Sequence, residues 1–189
     1  MVNLINKNYP RVGILGGSFD PPHLGHLHIS KIALKKLKLN KLIWIITKQN
    51  PLKKKTFLDI KKRMKLSEHI TNKQKKISVK YLKSPNTFDV LYYLKRKNIK
   101  INLFFLMGED NLIQFHKWKN WKKISQLAKI VVFARTGYSG KALSTNIQST
   151  VTDKMADSGY DSTKTGFSFG TSVEQYEDLF INPSFSTYY

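Results

Sequence analysis

The sequence predicts an α/β protein built on a doubly wound parallel sheet, and three observations carry that expectation. Five segments of strand character recur in the first 136 residues, at 11–15, 42–46, 76–82, 101–107 and 129–134. Stretches of helical length lie between them, at 24–37, 59–70, 87–97 and 118–127. The first strand runs straight into a glycine-rich turn that opens the first helix. Strands that alternate with helices and read as apolar runs form a parallel sheet covered on both faces. In such sheets ligands bind beyond the carboxyl ends of the strands, where the strand order reverses.

Each element has its own warrant. The helix at 24–37 carries Leu27, Leu34 and Leu37 among its apolar positions, and that at 59–70 presents a basic face. The helix at 87–97 follows a cap at Asn86 or Thr87. Trp118 and Trp121, three apart in the stretch 118–127, suit either a core face or a ligand face. The longest apolar runs, such as 42–46 and 103–107, have strand length and fall far short of the roughly 18 residues of a membrane span. Asn3, Asn6, Lys7 and Asn8 interrupt any signal-peptide core. There is no cysteine, which excludes disulfides and thiolate metal sites. A cytoplasmic protein with no membrane partner is expected, and a homo-oligomer is compatible with the sequence.

The net charge of +21 raises the question of a nucleic-acid surface. Lysine supplies 29 of the 33 basic residues, whereas arginine is the residue suited to bidentate phosphate and base contacts. The lysines are scattered over every expected helix, so a solvated basic surface is the reading taken, and a nucleic-acid partner is not expected. Such a field still attracts anionic nucleotides. The charge is unevenly placed. Residues 1–136 hold 30 Lys and Arg against 6 Asp and Glu, while residues 137–189 hold 3 Lys, no Arg and 6 Asp and Glu. The second part is rich in Ser, Thr and Gly and shows little periodicity. The division is therefore a domain over 1–136 and an atypical tail over 137–189, either poorly ordered or foreign to the domain.

The chemistry concentrates in Gly16-Gly17-Ser18-Phe19-Asp20-Pro21-Pro22-His23-Leu24-Gly25-His26. Gly16 and Gly17 lack Cβ, so a phosphate can approach their backbone N–H groups. Ser18 adds a hydroxyl, and Pro21 and Pro22 stiffen the entry to the helix. A helix N-terminus favours anions, and His23 and His26, three apart, lie on one side of it. Gly25 is expected to leave room for a nucleotide between them. A lone His-x-x-His would suit a surface pair or a chance metal cluster; the complete string between a strand and a helix does not. It is neither a Walker P-loop nor the Gly-x-Gly-x-x-Gly fingerprint.

This string resembles the signature of the nucleotidylyltransferases, Gly-x-Phe-x-Pro-x-His-x-Gly-His, and the chain is most similar to their bacterial nicotinate-nucleotide adenylyltransferase branch. Further stretches resemble that branch: Asn50-Pro51-Leu52-Lys53, Arg63-Met64, Asn86-Thr87-Phe88-Asp89-Val90-Leu91, Gly108-Glu109-Asp110 with Phe115, Trp118, Trp121 and Ile124, and Ala134-Arg135-Thr136-Gly137. The likeness covers residues 11 to about 138. It implies a Rossmann-like sheet of the nucleotidylyltransferase type and the transfer of AMP from ATP to nicotinic acid mononucleotide, giving deamido-NAD and pyrophosphate, with Mg²⁺ held mainly through the ATP phosphates. It implies His23 and His26 as the catalytic pair on the α- and β-phosphates. Gly16, Gly17, Ser18, Phe19, Gly25, Asp110, Lys53 and Arg63 would contact ATP or phosphate. Thr87, Gly108, Trp118 and Arg135 would contact the nicotinate nucleotide, and no side chain is assigned to metal. Thr87 also reads as a cap, Asp89 as a helix-dipole partner, Asp110 as a cap, and Lys54 or Lys55 in place of Lys53.

The likeness stops at the tail. The branch carries a late Ile-Ser-Ser-Thr-x-Ile-Arg motif, whereas this chain has no Arg after Arg135. Residues 143–150 are its nearest counterpart and lack both the Arg and the order. The C-terminus is either diverged or replaced, replacement being the reading taken; in that case the fold would be incomplete and turnover weak or absent, and no catalytic residue is assigned beyond 135. The rivals are a phosphopantetheine adenylyltransferase or a cytidylyltransferase, which would lack the block from Gly108 to Trp118, and a nucleotide- or RNA-binding protein without turnover.

Overall fold

The structure, a computed structural model, describes residues 6–48, 56–84, 86–108, 111, 115–133 and 180–181. The strands are β1 (Arg11–Gly17), β2 (Lys41–Ile46), β3 (Ile77–Tyr81), β4 (Asn102–Gly108), β5 (Lys129–Phe133) and β6 (Phe180–Ile181). The helices are α1 (Leu24–Lys36), α2 (Ile60–Thr71), α3 (Thr87–Lys97) and α4 (Trp121–Leu127). The six described strands form one sheet in the order β3-β2-β1-β4-β5-β6, and every pairing is parallel. This is the doubly wound sheet that the alternation of elements predicts.

The continuous apolar runs have a simple cause. Successive side chains of a strand point to opposite faces, and both faces are covered. Ile43 and Ile45 of β2, Leu103, Phe105 and Met107 of β4, and Ile130 and Val132 of β5 pack in one cluster with Val90 and Leu91 of α3 and Ile124 of α4. Leu42, Trp44 and Ile46, Phe104 and Leu106, and Val131 and Phe133 pack in the other with Ala33 of α1 and Met64 of α2. A polar residue on either face of these strands would therefore lose its water. Gly13 shows how close the second layer lies, because a Cβ there would stand 2.6 Å from Leu39 Cδ1.

Register brings the functional ends together. Gly17 lies opposite Ile46, Leu15 opposite Leu106, and Gly108 opposite Phe133. The strand order reverses at β1 and β4, so the ends of these two strands flank the crevice expected of such a sheet.

Two expectations are corrected. The stretch 118–127 is not one helix: a 3-10 turn spans Phe115–Lys117, and α4 begins only at Trp121. Asn120 takes a left-handed conformation at φ 52°, which interrupts the helix and separates Trp118 from Trp121. Asn86 does sit at the start of α3, yet its side chain donates to Asp89 Oδ2 at 3.2 Å rather than capping the backbone. Of the tail, Phe180–Ile181 pairs with β5, so a short piece of it lies on the sheet; the rest falls outside the described residues.

Asp89 ties this corner together. It accepts from Ser84 Oγ at 3.0 Å and from Asn86 Nδ2, and pairs with Lys119 Nζ at 3.3 Å. Burial pushes the Asp89 carboxyl up, but the bonds from Ser84, Asn86 and Lys119, with the Lys119 charge, outweigh it and hold the carboxyl below its ordinary 3.8. The ionised carboxylate thus stabilises the fold fully above that value, and the contribution is lost as pH falls through the lower folded value. In urea unfolding, Asp89→Asn is expected to be less stable than the parent at neutral pH, with the gap closing below pH 3.8. A gap that stays constant into acid would contradict this role for the carboxylate.

Candidate active site

The site is built around the turn from β1 to α1. His23 is the N-cap of α1 and His26 its third residue. The His23 N–H donates to His26 Nδ1 at 3.3 Å, and the His26 N–H donates to the His23 carbonyl at 3.0 Å. The ring of His26 thereby fills the place that Glu or Gln takes in an ordinary capping box. Because Nδ1 accepts, the proton of the neutral ring lies on Nε2. The two rings lie 3.9 Å apart between centroids, tilted by 40°. The first turn of α1 holds no acidic residue, while Lys35 and Lys36 lie in its last turn. The positive end of the helix is therefore uncompensated by any carboxylate of its own and suits an anion.

Buried groups hold His26 in place. Trp44 of β2 is fully buried and donates from Nε1 to Ser30 Oγ at 2.8 Å, and Ser30 Oγ donates to the His26 carbonyl at 2.7 Å. Phe19 stacks on Trp44 at 4.9 Å and meets His26 at 4.8 Å. Phe19 pays for its left-handed backbone, at φ 49°, about 1–2 kcal/mol. Its ring, only 2% exposed, offsets this by roughly 1.5–3 kcal/mol of burial.

The expected site residues are placed as follows. Gly16, Gly17, Ser18, His23, Gly25 and His26 are gathered at the exit of β1 and the start of α1. Gly108 ends the adjacent β4, and Trp118 follows it. Thr87 opens α3, and the Asp89–Lys119 pair links that helix start to the residue after Trp118. Trp118 is partly buried and meets Phe105 and Phe115 edge-on at 6.0 and 5.5 Å, so it is in part a core side chain. Lys53, Asp110 and Arg135 lie outside the described residues.

Three expectations change. The space left by Gly25 belongs to His23, since a Cβ there would come within 2.9 Å of His23 Nδ1. The Phe19 side chain faces the core, which leaves only its backbone for a ligand. Arg63 is not presented to a phosphate: it is 1% exposed, and its guanidinium donates to the carbonyls of Ser18, Thr47, Lys48 and Leu58.

Sequence reasoning assigned no role to Asp20, Ser30 or Trp44. Asp20 accepts from the backbone N–H groups of Phe57 and Leu58 and so ties the turn after β1 to the entry of α2. A carboxylate inside a phosphate-binding string was the available signal, since it repels phosphate unless otherwise engaged. Trp44 and Ser30 carried no local signal, because their bond joins a strand to a helix.

Comparison with known proteins places the chain in a family. A model of the cytidylyltransferase-like family matches residues 14–177, and the chain belongs to that family. It is 46% identical over 145 residues to the probable nicotinate-nucleotide adenylyltransferase of Pelagibacter ubique, covering 75% of this chain and 80% of that protein. It is 35% identical over 154 residues to the protein of the same name from Brucella suis, covering 79% of each. Within its family the chain therefore falls in the nicotinate-nucleotide adenylyltransferase branch. The nicotinic acid mononucleotide adenylyltransferase of Plasmodium falciparum, solved in complex with NaAD, shares the fold with a TM-score of 0.62 at 20% identity, over 72% of this chain and 71% of that one. A nicotinate-nucleotide adenylyltransferase structure from Vibrio parahaemolyticus matches with a TM-score of 0.52 at 19% identity, over 86% of this chain and 95% of that one.

Nucleotidyltransferases of this kind generally use divalent metal ions. Among the described residues no group of three or more His, Asp or Glu side chains could hold one. No described helix is long and apolar enough to cross a membrane.

The geometry at Gly25 yields a test in which stability and binding diverge. Gly25→Ala gains roughly 1 kcal/mol of helix propensity while its methyl displaces the His23 ring. The thermal midpoint is expected to hold or rise, while affinity for inorganic tripolyphosphate falls roughly 10-fold through loss of a charge-assisted bond. Unchanged affinity would remove the His23 ring from the anion site.

Proposed function

We propose that the chain transfers the adenylyl group of ATP to nicotinic acid mononucleotide, giving deamido-NAD and pyrophosphate in NAD biosynthesis. A phosphate oxygen of the mononucleotide attacks the α-phosphorus of ATP. A new P–O–P linkage forms as the bond from the α-phosphorus to the bridging oxygen breaks, and pyrophosphate leaves with the electron pair. The nucleophile is already an anion, so positioning and charge stabilisation carry the reaction and no covalent intermediate is required.

The observation that carries this reading is the interlocked His23–His26 pair at the bare positive end of α1, in a chain this similar to the adenylyltransferases named above. His26 donates from Nε2, and His23 beside it, to oxygens of the α- and β-phosphates, where charge grows as pyrophosphate departs. The backbone of Gly16, Gly17 and Phe19, with the Ser18 hydroxyl, holds the reacting phosphates. Thr87, Gly108 and Trp118 frame the nicotinate, and an aromatic face suits a pyridinium ring. Lys53 neighbours the triphosphate, Asp110 takes a ribose or an ATP-side group, and Arg135 lies on the nicotinate side. Mg²⁺, held by the triphosphate and water, supplies charge neutralisation when bound. The machinery is assigned to residues 1–136 of a cytoplasmic enzyme, and no catalytic residue is assigned beyond 135.

Pyrophosphate release from ATP, Mg²⁺ and nicotinic acid mononucleotide tests this. The full chain is expected to turn over, and His26→Ala to lower kcat on the order of 100-fold, as loss of a transition-state donor does. Absence of both turnover and mononucleotide binding would overturn the substrate assignment. Turnover with phosphopantetheine in place of the mononucleotide would move the chain to a different branch.

A further inference from the structure

We propose that Arg63 is a positioning residue, acting on phosphate through the Ser18–Phe19 peptide without touching the ligand itself; this rests on the reading of the site given above. Arg63 stands in the first turns of α2, yet its guanidinium serves three other segments. Nη1 donates to the Ser18 carbonyl at 2.6 Å and to the Thr47 carbonyl at 2.9 Å. Nη2 donates to the Lys48 carbonyl at 2.9 Å, and Nε to the Leu58 carbonyl at 3.1 Å. The turn after β1, the exit of β2 and the entry to α2 are thus held by one side chain.

The charge matters as much as the bonds. Arg63 is 1% exposed, and among the described residues no carboxylate pairs with it. A buried cation without a counter-ion is costly unless it is hydrogen-bonded; the four carbonyls supply those bonds here and leave the charge unneutralised. The shortest of its bonds falls on Ser18. A peptide unit is planar, and in the trans form its C=O and N–H point in opposite directions. A charge-assisted bond on the Ser18 carbonyl therefore polarises the Phe19 N–H on the far side and strengthens it as a donor. That N–H has no hydrogen-bond partner among the described residues. The left-handed backbone of Phe19, with its ring locked on Trp44, holds the donor at a fixed angle. An oxygen of a nucleotide phosphate is the ligand such a donor takes.

The test uses the full chain, with inorganic tripolyphosphate and nicotinic acid mononucleotide as probes, at a temperature where parent and variants are folded. Arg63→Lys keeps the charge and loses the fork; Arg63→Gln keeps a donor and loses the charge. Affinity for at least one probe is expected to fall roughly 10-fold in Arg63→Lys and further in Arg63→Gln, in keeping with the worth of bonds to charged groups. A merely structural role would lower the unfolding midpoint and leave these affinities unmoved. A second measurement needs no variant: in isotope-labelled parent protein the Phe19 amide proton is expected to shift downfield when the probe binds. Parent binding with both variants within twofold of it, or with the Phe19 amide unmoved, overturns this inference alone. A parent chain that binds neither probe overturns it together with the functional reading.

Discussion

The site depends on the seating of Trp44 beneath the start of α1. Its indole is fully buried, stacks under Phe19 and reaches Ser30 with its one donor. Through Ser30 it fixes the His26 carbonyl, and through Phe19 it supports the His26 ring. Without that seat the left-handed turn at Phe19 would lack the burial that offsets its strain, and the helix start that orients both imidazoles would be free to fray. A β2 side chain thereby sets the geometry of a loop that leaves β1. The parallel pairing of the two strands, with Leu15 opposite Trp44, makes this possible.

Around this seat, positive potential converges from sources that differ in kind. The N-terminus of α1 contributes a dipole end, His26 an Nε2–H group, and Arg63 a buried charge behind the turn. The one acidic side chain of the turn, Asp20, is occupied by the Phe57 and Leu58 N–H groups. In the proposed function a polyanion at the end of β1 meets donors held by this frame, which lowers the reorganisation its binding needs. Pre-aimed donors are the condition under which electrostatic stabilisation of a developing charge is most effective.

Much of this was legible in the sequence, for identifiable reasons. The strands could be read because both faces of a covered parallel sheet demand apolar residues, as at 42–46 and 103–107. The His23–His26 pair could be read because three-residue spacing at a helix start is a local property. What escaped depends on tertiary contact. Arg63 was expected to contact phosphate from a basic helix; only packing shows that it turns inward to four carbonyls. Gly25 looked like space for a ligand, whereas it is space for a neighbouring ring. The break at Asn120 depends on a single left-handed residue, which helical periodicity does not report.

The most direct measurement is the response of the imidazole resonances to ATP with Mg²⁺, followed by nuclear magnetic resonance on the full chain. His23 and His26 are expected to shift together along one saturating curve, with His69, in the last turn of α2, unmoved. Shifts spread over His69 as well, or His23 and His26 unchanged while ATP binds, would contradict the placement of the triphosphate at the start of α1.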